Sequence, residues 1–188
     1  KHKDGHWVWI LDRGRVITWN AQGKPLLMFG THMDITDRKA GDQALLESES
    51  RLRAITDSAQ DAIVMMDPRG CISFWNPAAE RMFSYSAEET SGKNLHDLIA
   101  PKRYHEAHEK AFAEFLETGD GDAVDKTVEL EALTKSSQEI SIELSLSAIE
   151  LDDGWHAVGL MRDITKRKES ETRLKQALDQ RFGSGGSG

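Results

Sequence analysis

Cysteine is nearly absent from this 188-residue chain: Cys71 stands alone. One thiol excludes an intramolecular disulfide framework and a cysteine-rich zinc site. Proline is scarce too, with four residues, so little interrupts helix or strand. Positive charge is in the minority. Lys and Arg total 24 against 32 Asp and Glu, a formal net charge of −8, which argues against the clustered basic surface that nucleic-acid phosphates require. No apolar run approaches the roughly 18–20 residues that span a bilayer, and no signal-peptide pattern opens the chain. Catalytic signatures are missing as well. There is no nucleophile–base–orienter set, no metal-ligand spacing and no phosphate-binding glycine loop. The expectation is a cytoplasmic, non-enzymatic fragment. What is present is 38% hydrophobic and 30% charged, suiting a globular core with exposed helices.

A repeat organises the sequence. Asp34-Ile35-Thr36-Asp37-Arg38-Lys39 recurs as Asp163-Ile164-Thr165-Lys166-Arg167-Lys168, 129 residues later. Each copy follows a β-like run with a central glycine and precedes a charged, proline-free helical stretch, 40–55 and 169–182. Asp and Thr end a strand and cap the next helix through short side-chain oxygens. Two such junctions at a domain-sized spacing imply duplicated units joined by helices. The closing Gly/Ser run, 183–188, is linker and takes no part in the fold. The opening Lys-His-Lys-Asp-Gly suggests a cut from something longer.

Between the junctions, Ala62–Asp67 and Cys71–Trp75 flank Pro68-Arg69-Gly70, a β-hairpin pattern. Asn76-Pro77 starts a short helix, Ser86 to Glu89 starts another, and Pro101–Leu116 reads as a longer amphipathic helix stopped at Thr118-Gly119. Three strand-like runs follow at 127–134, 139–150 and 155–165. In the middle one Ile140, Ile142, Leu144, Leu146 and Ala148 alternate strictly, giving one buried face. The order predicts an α+β domain: a five-stranded antiparallel sheet with short helices on one face, plus flanking helices.

The segment Ile63-Val64-Met65-Met66-Asp67-Pro68-Arg69-Gly70, followed by Ile72-Ser73-Phe74-Trp75-Asn76-Pro77-Ala78-Ala79-Glu80, resembles the opening of a PAS domain. The helix ending at Gly119, the three strands and Asp163-Ile164-Thr165-x-Arg167-Lys168 resemble its closing PAC half. The likeness covers about residues 50–168 as a complete PAS domain. Residues 1–39 resemble only the PAC half of an upstream domain, a three-stranded remnant with Trp7, Trp9, Trp19 and Phe29 on an uncovered face, either poorly ordered or packed on another protomer. A linker helix, 40–55, would join the two, and 169–182 would be a signalling helix.

The resemblance implies a sensory or relay module of a bacterial histidine kinase or diguanylate cyclase, sensing a small ligand or cofactor state. It implies a homodimer through the flanking helices, where Leu45, Leu52, Ile55, Leu174 and Leu178 fall near a/d spacing. The implied ligand pocket comprises Tyr104, His108, Phe112, Phe115, Trp75 and Leu144. Asp163, Ile164 and Thr165, with Asp34, Ile35 and Thr36, would transmit the signal.

The cofactor stays unknown at this point. Oxygen-sensing haem members of the family carry a proximal His on this helix at the interval that separates His108 from Gly119. His108 is therefore the candidate axial ligand of haem b, although the arginine those sensors place on the next strand is missing from Thr127-Val128-Glu129. Light-sensing flavin members have a Cys where Gly92-Lys93-Asn94-Leu95 places Leu95, and the Asn/Gln set that grips the flavin ring is missing, so the resemblance argues against flavin adduct chemistry and against flavin as the cofactor. A ligand-free dimerisation and spacer module is the remaining alternative.

Overall fold

Alternating apolar residues dictate the strands, and short polar caps dictate where the helices begin. The computed structural model describes residues 1–183, so the Gly/Ser linker beyond Gly183 lies outside the described residues. The chain forms two compact units, residues 1–54 and the remainder from Ile55 onward.

In the first unit β1 (Ile10–Trp19) pairs antiparallel with β2 (Pro25–Asp34), followed by helix α1 (Thr36–Ser58). The remnant is thus two-stranded, not three-stranded. Trp7 to Trp9 form no separate strand but lead into β1, with Trp9 accepting from Ile35 N at 2.9 Å. The hairpin's large side chains, Trp7, Trp9, Trp19 and Phe29 among them, are exposed.

The second unit contains a five-stranded antiparallel sheet in the order β4-β3-β7-β6-β5. Its strands are β3 (Ala62–Met66), β4 (Ile72–Trp75), β5 (Thr127–Leu133), β6 (Glu139–Leu151) and β7 (Gly154–Asp163). Between β4 and β5 run α2 (Pro77–Phe83), α3 (Ala87–Thr90), α4 (Leu95–Ile99), a single 3₁₀ turn (Lys102–Tyr104) and α5 (His105–Thr118). Helix α6 (Thr165–Gly183) leaves from β7. The α+β class, the strand count and the helical insert agree with the sequence pattern.

Local chemistry explains the starts of the short helices. Asn76 is fully buried and uses its whole amide: Oδ1 accepts from Ala79 N and Ile63 N, both at 2.9 Å, and Nδ2 donates to the carbonyls of Thr56 and Asp61 at 3.1 and 3.2 Å. One side chain therefore caps α2 and ties it to β3 and to the end of α1. Ser86 and Glu89 form a reciprocal capping box on α3. At the other end of the insert, α5 stops at Gly119, whose φ of +70° suits glycine. The core lies between the sheet and these helices, with Val64, Ile142 and Phe83 almost fully enclosed.

Candidate functional site

Helix α5 does not press flat on the sheet. Beneath it lies a cavity of about 370 Å³, in the range of small-molecule sites. Its floor comes from the inward-facing positions of β6 and β7, including Leu144, Leu146, Ala157 and Gly159, and its wall from Tyr104, His108, Phe112 and Phe115. These residues share the cavity because the period of α5 aligns positions 104, 108, 112 and 115 while strand alternation aligns 144 and 146. Trp75 does not join them. It sits on β4, the sheet edge opposite β5, where it packs on Phe83 with ring centroids 5.3 Å apart and donates from Nε1 to the Tyr85 carbonyl at 3.2 Å.

A second imidazole enters the cavity. His96, on the first turn of α4, stacks on His108 with centroids 3.0 Å apart and planes 18° from parallel. His108 in turn stacks on Phe112 at 5.4 Å, and Phe112 on Phe115 at 6.3 Å. Burial, reinforced by the neighbouring imidazoles His108 and His105, pushes His96 down to about 3 from its ordinary 6.5. Burial and His105 push His108 down to about 4. Both rings are neutral at pH 7. Nδ1 of His96 is buried and has no hydrogen-bond partner. Sequence periodicity missed α4, which is only five residues long. The available signal was Asn94, whose side chain caps it by accepting from His96 N at 2.9 Å and Asp97 N at 3.1 Å.

Polar contacts gather at the start of α5. Arg103 donates twice to Glu139, at 2.7 and 2.9 Å, and the Tyr104 hydroxyl donates to Glu131. The hydrogen bond from Tyr104, and then the Arg103 guanidinium, hold the Glu131 carboxyl below its ordinary range.

The floor strands also end at the exit junction. Thr165 N donates to Asp163 Oδ1 at 2.8 Å, Ser141 N to Thr165 Oγ1 at 3.1 Å, and Ile164 N to the Ser141 carbonyl at 2.9 Å. The first unit repeats this network. Thr36 N donates to Asp34 Oδ1, Trp9 N to Thr36 Oγ1 and Ile35 N to the Trp9 carbonyl, each at 2.9 Å. Strand register repeats with it. Ile10 opposes Asp34 and Gly14 opposes Gly30, as Ile142 opposes Asp163 and Leu146 opposes Gly159. Beyond the second junction, Arg167 and Lys168 both pair with Glu129 on β5, and Arg167 also approaches Glu143 at 3.8 Å. Glu129 and Glu131 are therefore ion-paired rather than simply solvated.

Among the described residues no helix is long and apolar enough to cross a membrane, and no three His, Cys, Asp or Glu side chains cluster as a metal site would require.

Comparison with known proteins follows these features. Sensor protein FixL of Bradyrhizobium diazoefficiens is 25% identical over 89% of this chain and 33% of its own length, a match too long to lie within the second unit alone. The cell-division control histidine kinase PdhS of Brucella anthropi is 28% identical over 75% of this chain, which covers 13% of that protein. The chain thus spans a third or less of these relatives. The PAS domain of a protein from Colwellia psychrerythraea superposes with a TM-score of 0.52 at 27% identity, covering 65% of this chain and 98% of that one. The PAS domain of an HTR-like protein from Haloarcula marismortui superposes at 0.54 with 21% identity, over 67% and 99%, sharing the fold. Residues 50–164 match the family described as the PAS fold, and the chain belongs to that family.

Proposed function

We propose that this PAS domain senses a small molecule in the cavity beneath α5 and passes the change through the Asp163-Ile164-Thr165 junction to α6. The PAS domain is a sensory, non-catalytic module. One observation carries the reading. Strands β6 and β7 floor the cavity with Leu144, Leu146, Ala157 and Gly159, and the same two strands supply Ser141 and Asp163 to the start of α6. A molecule in the cavity touches the elements that hold the outgoing helix, so binding that favours one strand geometry biases the helix.

The relatives point to the output. FixL is named a sensor protein, PdhS a histidine kinase, and a 36%-identical segment belongs to a probable diguanylate cyclase, DgcE of Escherichia coli. By analogy the module serves a kinase or cyclase carried by other segments of its parent protein, in the cytoplasm. Residues 1–39 fit the exit half of a second PAS unit, since their strand register and junction repeat those of β6, β7 and α6. The exposed Leu45, Leu52, Ile55, Leu174 and Leu178 suit pairing of α1 and α6 with a second copy, which light scattering of the wild type and a Leu174→Lys/Leu178→Lys variant tests.

Haem is the alternative that His108 raises, since its neutral imidazole is a sound axial donor. The surroundings do not fit. No Lys or Arg lines the cavity, and its acidic residues Asp122 and Glu131 would oppose the haem propionates. An apolar organic ligand is the better match.

The deciding experiment is a thermal-shift screen of neutral mono- and bicyclic aromatics and medium-chain alcohols, paired with amide exchange of α6. A binder should raise Tm by a few degrees and alter exchange at Thr165–Glu171, and Ala111→Phe, which fills the cavity, should abolish both. A screen without binders favours the ligand-free spacer reading.

A further inference from the structure

The cavity described above is almost entirely carbon-lined, which makes its few polar atoms selective. Tyr104 and Glu131 satisfy each other at the mouth. His96 is different: its Nδ1 is buried and unpartnered in an otherwise apolar wall. A buried nitrogen left without a partner is the kind of group that a bound ligand completes, and one that penalises ligands unable to do so. The rings of His108, Phe112 and Phe115 line the cavity and lie within 23° of parallel to their neighbours along α5, so one wall is a run of aligned aromatic rings. Such a wall favours an aromatic guest.

Charge narrows the class. The lining contains Asp122 and Glu131 but no Lys or Arg, so an anion finds no cation to replace its lost water. A cation fares no better against the imidazoles, and Glu131 is already engaged by Tyr104 and Arg103. Because both histidines stay neutral at pH 7, the His96 ring offers a lone pair rather than a charge.

We propose that the cavity binds a neutral, planar aromatic molecule of about two fused rings, a phenol or an azole N–H compound, which donates one hydrogen bond to the His96 imidazole and packs against Phe112 and Phe115. The proposal rests on the cavity being the sensing site. It adds a coupling step. The two imidazoles lie too close for anything to fit between them, and they stand on different helices, α4 and α5. A guest that bonds the edge of His96 and packs on Phe112 therefore bears on both helices, and through α5 on the wall that faces β6 and β7.

Three probes of matched shape test this at pH 7.5: 2-naphthol, naphthalene and 2-naphthoate, titrated calorimetrically into the whole chain. The expected result is that 2-naphthol binds at least about 10-fold more tightly than naphthalene, the worth of one well-placed hydrogen bond to a buried group, with 2-naphthoate weakest. His96→Phe keeps a ring and removes the acceptor, so the two neutral probes should then bind within about 2-fold of each other. If that variant fails to fold, nitrogen NMR of wild-type His96 replaces it, and its Nδ1 resonance must move with 2-naphthol and stay put with naphthalene. Equal binding of 2-naphthol and naphthalene to the wild type overturns the role of His96 while leaving the cavity as a ligand site. Preference for 2-naphthoate overturns the neutral class. Binding of none of the three removes both this proposal and the sensing site on which it rests.

Discussion

Glu129 and Glu131 are two residues apart on β5, yet their carboxylates hold different helices: Glu129 pairs with Arg167 and Lys168 of α6, and Glu131 with Tyr104 and Arg103 at the start of α5. One short strand thereby links the helix over the cavity to the helix leaving the domain. The hydrogen bond from Lys168 comes first, with Arg167 assisting, in holding the Glu129 carboxyl below its ordinary range. Glu129→Gln should speed amide exchange in the first turn of α6 and leave the first turn of α5 unchanged, while Glu131→Gln should do the reverse. Molar salt should bring the wild type toward the Glu129 variant, since these pairs are exposed and screened. Equal effects of both variants on both helices would show that β5 does not separate the two attachments.

The turn after α5 gives a sharp stability test. Gly119 has φ +70°, and a Cβ there would stand 2.5 Å from the Trp155 ring. Gly92 has φ +73° but nothing within 4 Å of an added Cβ. Both alanine variants incur the left-handed backbone cost, and only Gly119→Ala adds a steric clash with the partly buried Trp155 indole. Urea unfolding should show a loss of about 1 kcal/mol for Gly92→Ala and about 2–4 kcal/mol for Gly119→Ala. Similar losses at both sites would mean that Trp155 moves aside freely.

Most of this fold was legible because its elements obey simple periods. Alternation in Ile140 to Ala148 located β6, and helical spacing placed Tyr104, His108, Phe112 and Phe115 on one face of α5, where they line the cavity with Leu144. Trp75 reads first as a core side chain and only second, through the resemblance, as pocket lining; the structure buries it in the core beside Phe83 and away from the cavity. Which sheet edge a strand occupies is a tertiary fact that local pattern does not carry, and β4 lies at the wrong edge. His96 escaped notice because a five-residue helix has too few positions to show a period. The first unit differs in another way: the likeness implies a three-stranded remnant, whereas β1 pairs with β2 alone in a two-stranded sheet.

Haem binding offers a direct check on the charge argument. Hemin added to the protein should give no sharpened Soret band beyond free hemin, because the cavity offers carboxylates rather than cations near its polar edge. A stoichiometric Soret band lost in His108→Ala but kept in His96→Phe would reverse this conclusion and make His108 an axial ligand.

Acid should expose the cost of burying two neutral imidazoles. His96 sits near 3 in the folded protein and 6.5 in the unfolded chain, so between these values the unfolded state binds a proton that the folded state refuses. Stability is then fully present above about pH 6.5 and declines as pH falls toward about 3. For His96 alone the loss between pH 7 and pH 5 is about 2 kcal/mol, and half-exposed His108 adds a smaller, solvent-screened share. The groups around the pair do not confuse the window. Glu131, Glu139 and Glu129 are all held below their ordinary values, and so they stay ionised down to pH 5. His96→Phe should therefore flatten the urea-unfolding stability between pH 7 and pH 5 by about 2 kcal/mol relative to the wild type. His105 contributes to both shifts as a like charge, so its replacement by Gln should raise the apparent midpoint of the wild-type decline. Parallel pH profiles for the wild type and His96→Phe would mean that the His96 ring reaches solvent in the native state, and its unpartnered nitrogen would lose the selectivity assigned to it.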